Sequence, residues 1–405
     1  MASSRTIVIV GAGIGGMTAA LALARQGFRV ALFDQAERLE ETGAGIQLTP
    51  NATRILMELG LGPRLRQTVV TPTALQVRTA RSGAEIVRVP LGQAAEVRYG
   101  TPYWVTHRAD LQATLLDAVL HNPDVALTLG ARVVDCAVHL NGVTVGGMRG
   151  TQSLDSQGIA LVGADGLWST VRTRLGDKTP PRPARHTAWR ALVAADDVAP
   201  RWREPVVNLW LGPNSHLVHY PVKSGRLINV VAIVKDNWSG SGWSSPGRHE
   251  ELQRLFPARD WSEEARTLLA APPRWLKWSL ADRPPLANWG RGGPVTLLGD
   301  AAHPMLPFLA QGAAMAIEDA GVLADCLGNM PDDPNAAMRT YERERLPRVT
   351  KAQQQAERTG RYYEMRGLPA IVRDLALGAM GGRRLLQRHD WIYRFRIGGQ
   401  PDTKR

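Results

Sequence analysis

Residues 6–10 read Thr-Ile-Val-Ile-Val, an unbroken β-branched run that predicts a strand buried on both faces. A glycine-rich turn follows, then a helical pattern with Met17, Ala20, Leu21 and Ala24 on one face. A second apolar run, Arg29 to Phe33, ends at Asp34. Pro50-Asn51 opens a helix carrying Ile55, Leu56 and Leu59, which stops at Gly60. Residues 70–105 read as strands and loops of an antiparallel excursion. Arg108 then opens a helix with Leu111, Leu115, Leu116 and Val119 on one side. Strand-like stretches at 126–134 and 142–146 lead to another buried-strand run, Gly158 to Val162.

The pattern changes between about 180 and 285. Trp189–Ala194, Val206–Leu211, His216–Val222 and Arg226–Val234 read as antiparallel strands, with a hairpin turn at Lys223-Ser-Gly225. The parallel-sheet signature returns at Val295-Thr-Leu-Leu, followed by a Gly299-Asp300 turn, a Pro-rich loop and an Ala-rich helix. A polar helical region at roughly 334–365 reads as a solvated face, and the basic end from Arg383 to Arg405 is expected to fray. The expectation is an α/β protein. A Rossmann-like domain with a parallel sheet takes 1–180 and 286–335, including the excursion near 70–105. A second domain with a mostly antiparallel sheet takes 181–285, and a C-terminal helical region takes 336–405.

Composition narrows this modestly. At 405 residues, with 44% apolar and 21% charged residues, the chain reads as a globular protein of about two domains. Its net charge of +12 is scattered, mostly on arginine, and suits anionic small molecules better than nucleic acid, for which no module is evident. Two cysteines, Cys136 and Cys326, leave no disulfide framework, CxxC or zinc–thiolate pattern, and no metal is expected. The apolar run at the N-terminus holds Gly11, Gly13, Gly15 and Gly16 and is read as a ligand-binding turn, not a signal peptide. The two lone cysteines suit a reducing cytoplasm, no stretch reads as a membrane span, and a monomer or homodimer is expected.

Several positions carry candidate chemistry. Strand, Gly11-x-Gly13-x-x-Gly16, helix, strand and Asp34 form a complete dinucleotide-binding context. Gly11 permits the turn, Gly13 admits a pyrophosphate, Gly16 lets helix and strand close up, and Asp34 suits a ribose hydroxyl. In Gly43-Ala-Gly45-Ile46-Gln47, the glycines permit close backbone approach to a flat ligand, and Gln47 either faces that ligand or is an exposed loop residue. Arg108 sits in a helix's first turn, where cations are disfavoured unless an anion binds there. Asp165-Gly166, with Ser169 and Arg172 beyond, suits a second ligand contact at a strand's carboxyl end. His216 and Tyr220 share one strand face, about 13 Å apart at ~3.3 Å per residue, and could grip one small aromatic ligand or be half-buried sheet residues. The helix beginning near Gly312-Ala313 offers unpaired N–H groups and a partial positive charge to an anion.

Taken in order, Gly11-x-Gly13-x-x-Gly16, then Ala164-Asp165-Gly166-x-x-Ser169-x-x-Arg172, then Gly299-Asp300-Ala-Ala-His303-Pro304 with Gln311-Gly312 and Glu318-Asp319-Ala320, closely resemble the single-component FAD-dependent aromatic hydroxylases. The likeness covers about residues 5–350 and is closest to the salicylate, 3-hydroxybenzoate and hydroxynicotinate branch. It implies that Gly11, Gly13, Gly16, Asp34, Gly45, Ile46, Arg108, Asp165, Asp300, Pro304, Gly312 and Ala313 bind FAD. The family usually carries Glu where this chain has Asp34. The likeness also implies that Gln47, His216, Tyr220 and Pro304 line the pocket of a small aromatic substrate, with His216 as candidate base and Tyr220 orienting the ring or relaying its proton. NADH or NADPH would reduce FAD, and molecular oxygen would give a C4a-hydroperoxyflavin that hydroxylates a small phenolic acid. Hydroxylation of a hydroxypyridine carboxylate or another phenol, a flavin oxidase, and a non-catalytic redox sensor stay open as alternatives. Hydroxynicotinate relatives carry His at the position of Gln47, which counts against a pyridine substrate.

Overall fold

The computed structural model describes residues 5–39, 44–238 and 244–399. Gly43 and residues 400–405 lie outside the described residues. Five parallel strands form the first sheet in the order Val295–Leu297 (β18), Ala160–Gly163 (β11), Thr6–Val10 (β1), Arg29–Phe33 (β2) and Val125–Thr128 (β7). Ile7, Val8, Ile9, Leu161 and Val162 are completely buried, as a sheet covered on both faces requires. A three-stranded antiparallel layer, Ala131–His139 (β8), Gly142–Arg149 (β9) and Gln152–Gly158 (β10), precedes β11.

The large sheet has eight strands. Their order is Ser245–Gly247 (β16), Trp275–Asp282 (β17), Arg182–Ala194 (β12), Leu227–Lys235 (β15), Ser215–Val222 (β14), Val206–Gly212 (β13), Ala74–Thr79 (β4) and Glu85–Pro90 (β5). All neighbours are antiparallel except β13 and β4, which run parallel. The 70–105 excursion, grouped by its sequence with the first domain, thus places its β4–β5 hairpin on the edge of the large sheet. The pairing that does this joins Val206 to Ala74 and Leu211 to Thr79, more than a hundred residues apart in sequence and invisible to local periodicity. Gly45–Leu48 (β3) and Trp104–His107 (β6) pair separately, with the Gly45 N–H bonded to Asn229 of the large sheet.

Alternation divides the large sheet's two faces. One carries Trp189, Trp210, Leu217 and His219 and packs under Leu252, Phe256, Trp261, Ala265 and Leu268. Burying each such tryptophan contributes on the order of 5 kcal/mol before entropic costs. The opposite face, with Arg190, His216, Val218, Tyr220, Val231 and Ile233, looks into a cavity shared with the parallel sheet's loops. The helix Gly312–Asn329 backs that cavity and lies close against helix Ile14–Arg25, where a Cβ on Gly15 would stand 3.1 Å from the Ala316 Cβ.

Helix Pro334–Tyr363 holds the expected polar region, but its charges are not all solvated. Arg345 is 1% exposed and reaches Glu318 at 2.6 Å and Asp319 at 2.7 Å, both fully buried. The C-terminal end does not fray within the described residues: Ile392 is fully buried, and Asp390 accepts a hydrogen bond from Tyr99 at 2.8 Å. No described helix is long and apolar enough to cross a membrane.

Candidate active site

One cavity of about 1430 Å³ brings most of the sequence-nominated residues together. Gly13, Gly45, Ile46, Gln47, Arg108, His216, Tyr220, Asp300, Gly312 and Ala313 all line it. The glycine turn has the two kinds of geometry its spacing implies. Gly11 has φ of +104°, and a Cβ there would stand 2.3 Å from the Ala164 carbonyl oxygen. A Cβ on Gly16 would stand 1.8 Å from the Gly11 carbonyl oxygen, so strand and helix meet without room for a side chain. At Gly13 a Cβ would meet nothing within 4 Å, leaving the open approach that a pyrophosphate needs at the start of helix Ile14–Arg25.

Asp300 presents its carboxylate to the cavity. Enclosure raises its pKa, with Asp319 adding to the rise and His303 and Arg108 opposing it. Arg108 and Asp300 therefore sit within electrostatic reach of one another, a cation for a phosphate beside an acceptor for hydroxyl groups. Gly312 and Ala313 open their helix toward the same space. These groups fit an extended dinucleotide bearing phosphates, hydroxyls and a flat ring.

Four nominated residues are placed differently. Asp34 faces the glycine turn: one carboxylate oxygen accepts from the Ala12 N–H at 2.7 Å and the other from the Ala36 N–H at 2.8 Å. Being short, this acid is held to the backbone, and only its spare lone pairs remain for a ribose hydroxyl. Asp165 closes the short helix Thr170–Arg174, accepting from Ser169 Oγ at 2.5 Å, Thr170 N at 2.7 Å and Val171 N at 3.1 Å. Its neighbours Ala164 and Gly166 line the cavity instead. Arg172, expected beside a ligand, is buried and binds the carbonyls of Ala301 and Ala302 at 3.1 and 3.3 Å, so it fixes the loop carrying Asp300. Pro304 is buried and its carbonyl accepts from Gln353 Nε2 at 2.9 Å; Met305, Pro307 and Phe308 form the wall in its place.

The substrate side is built on β14. His216 is 2% exposed, its ring centroid 5.1 Å from Tyr363 and 5.5 Å from Phe308. Burial pushes its pKa down to about 3, against a smaller opposing pull from Glu364, so the imidazole is neutral near pH 7. Tyr220 is 3% exposed, and burial pushes its phenol well above the usual range, keeping it protonated. Gln47 accepts a hydrogen bond from Tyr103 and stands close to Tyr220. Gly45 donates its N–H to Asn229 at 2.7 Å, and a Cβ there would lie 2.6 Å from the Tyr220 ring. Its lack of a side chain therefore serves close packing between β3 and the large sheet. Tyr103, Phe308, Tyr363 and Arg190 also line the cavity and carry no local sequence signal.

Behind the Gly312 helix lies a buried polar network. His303 Nε2 meets Asp319 at 2.5 Å, the Gly299 N–H donates to the same carboxylate at 3.0 Å, and Asn51 donates to Glu318 at 2.6 Å. Arg345 binds both acids, and Arg348 binds Glu318 at 2.6 Å. Asp319 is held at about 2: burial opposes this, and the facing His303 and Arg345 outweigh it.

The family described as FAD binding domain matches residues 4–356. A 3-amino-4-hydroxybenzoate 2-monooxygenase of Streptomyces platensis is 38% identical over 96% of this chain and 96% of its own length. A 3-hydroxybenzoate 6-hydroxylase of Polaromonas naphthalenivorans is 35% identical over 97% of this chain and 96% of its own. Among solved structures, a salicylate hydroxylase substrate complex superposes with a TM-score of 0.82 at 27% identity, covering 98% of this chain and 97% of the other. Klebsiella pneumoniae HpxO complexed with FAD and uric acid superposes with a TM-score of 0.84 at 26% identity, over 96% of each chain. With the glycine turn, the cavity and the ordered motifs in one fold, the chain belongs to this FAD-binding family and is a flavin-dependent aromatic-ring monooxygenase.

Proposed function

We propose that the chain hydroxylates a monohydroxybenzoate or closely similar phenolic acid, with NADH or NADPH as reductant and molecular oxygen as the oxygen source. The supporting observation is a single cavity lined at once by Gly13, Arg108, Asp300 and Gly312 and by His216 and Tyr220. Small phenolic acids are also the substrates named for both relatives above. Bound FAD, reduced by the nicotinamide cofactor, supplies activated oxygen for transfer to an electron-rich ring carbon.

The chain's residues have four tasks. Gly13 and Arg108 would hold the pyrophosphate, and Asp300 would accept hydrogen bonds from the ribityl hydroxyls. The first N–H groups at Gly312 and Ala313 would stabilise negative charge on a flavin ring bound against them. Met305, Pro307 and Phe308 keep water from the reacting face. His216 and Tyr220 fix the phenol.

Neutral His216 accepts a hydrogen bond from the substrate hydroxyl. Burial holds the imidazole well below its usual pKa, so complete removal of the phenol's proton by His216 is disfavoured. In this enclosed site His216 therefore polarises and orients the hydroxyl, and sharing of the proton takes the place of general-base removal. Tyr220, protonated throughout the neutral range, donates to a substrate oxygen. Steady-state turnover of a phenolic-acid panel by the FAD-loaded enzyme tests this reading. We expect substrate-stimulated NAD(P)H oxidation with hydroxylated product, and a loss of about tenfold in kcat/KM for His216→Ala, the cost of one hydrogen bond to the phenol. Normal coupled turnover in that variant would remove His216 from the mechanism.

A further inference from the structure

The cavity of about 1430 Å³ has to hold both the flavin cofactor and the substrate, and its lining extends beyond the residues assigned to either. Beyond His216 and Tyr220 on β14, the large sheet continues outward through β13, β4 and β5. The side chains these three strands turn into the cavity are Val207, Leu209, Leu211, Leu75, Val77 and Val89, all apolar. At ~4.8 Å per strand, this floor runs about 14 Å past the pair.

Helices Leu368–Met380 and Gly382–Gln387 roof it, and Leu377 and Leu385 pack with Val77, Val87 and Leu209. Arg373, a charged residue of this roof, is engaged by Asp374 at 2.8 Å and the Tyr362 carbonyl at 2.7 Å. Leu368 and Val372, which line the cavity, are also 76% and 65% exposed, so the arm has an apolar mouth. Gly13, Arg108, Asp300 and Gly312, the groups suited to the cofactor, belong to other elements. The arm is therefore continuous with the phenol site in one cavity, and its strands carry none of those cofactor groups.

We infer that the preferred substrate is a phenolic acid bearing an apolar substituent, alkyl or aryl, that extends from the His216–Tyr220 site into this arm. The inference rests on the phenolic-acid reading for its chemistry, while the arm itself can be tested by binding alone. A small unsubstituted acid fills the ring end and makes no contact with the apolar side chains that line the arm. Each methylene added to the substituent would bury about 30 Å² of apolar surface and tighten binding about fourfold until the arm is full.

The test uses the FAD-loaded full chain with monohydroxybenzoates carrying propyl or hexyl chains at each open ring position. Dissociation constants by calorimetry and kcat/KM for NADH oxidation are read in parallel. For the best position we expect hexyl to bind about 60-fold more tightly than propyl. Leu377→Trp and, independently, Ala376→Phe should reduce that ratio to near one by filling the arm. A flat chain-length series, or a series unchanged in both variants, would overturn the inference. If small acids are hydroxylated but the series is flat, this inference fails and the phenolic-acid reading stands. If no acid is turned over yet binding follows chain length and both variants abolish it, the arm stands and the hydroxylation reading fails.

Discussion

Replacing Arg345 by methionine should loosen the turn that carries Asp300 without touching the cavity. The guanidinium is 1% exposed and donates to Asp319 at 2.7 Å, to Glu318 at 2.6 Å and to the Met315 carbonyl at 3.3 Å. Glu318 would keep Arg348 and Asn51. Asp319 would keep only His303 and the Gly299 N–H, and so would lose a full cation inside the protein. Removing one partner of a buried pair costs about 3–5 kcal/mol, because the remaining charge is left desolvated. For 405 residues, at about 2.1 cal/mol/K per residue, that is a Tm drop of roughly 4–6 °C if the chain unfolds in one transition. Asp319 also anchors Gly299, next to Asp300, so FAD affinity should fall together with Tm. Thermal melts and flavin titrations of wild type, Arg345→Met and Arg345→Met/Asp319→Asn check this. The double variant should recover part of the loss, since it removes the stranded charge. A Tm within 1 °C of wild type and unchanged FAD affinity in the single variant would refute the reasoning.

Gly45→Ala should retain FAD but raise KM for phenolic acids about tenfold or more, because the new Cβ forces Tyr220 and Asn229 aside; steady-state kinetics decide it. Acid sensitivity offers a further check. His219 is fully buried with neither ring nitrogen bonded, and burial pushes its pKa down to about 3. Below pH ~6.5 the unfolded chain takes up a proton that the native histidine refuses, so stability falls as pH drops from about 6.5 toward 3. Between pH 7 and 5 this amounts to about 2 kcal/mol for one such histidine. His219→Leu should remove that share of the loss in urea unfolding, and an unchanged pH dependence would contradict the burial argument.

What the chain disclosed in advance was mostly what covalent spacing dictates. Gly11, Gly13 and Gly16 stand at offsets that a strand–turn–helix unit imposes, and alternation alone puts His216 and Tyr220 on one face and His219 on the other. The ordered motifs also led to the right family and fold class. What stayed hidden depends on partners distant in sequence. The β4–β5 hairpin looks the same locally whether it joins one sheet or the other, and its pairing with β13 decides. Arg345 and Arg348 sit in a helix whose composition reads as a wet surface; only Glu318 and Asp319 on the adjacent helix turn them inward. Asp34 and Asp165 have the residue type and position expected of ligand contacts, yet each lies within reach of backbone N–H groups that take up its carboxylate. Residues 382–397 lack any periodic signal strong enough to announce that they pack on the core.

On the proposed reading, phenol and flavin meet in one cavity for transfer of a single oxygen atom to the ring. The direct measurement is turnover of a monohydroxybenzoate panel with NADH or NADPH under ¹⁸O₂, with the mass of the product and the ratio of reductant consumed to product formed. We expect a ring-hydroxylated acid carrying one ¹⁸O atom, near one product per NAD(P)H. Reductant consumption that yields hydrogen peroxide alone with every phenolic acid, substituted or not, would contradict it.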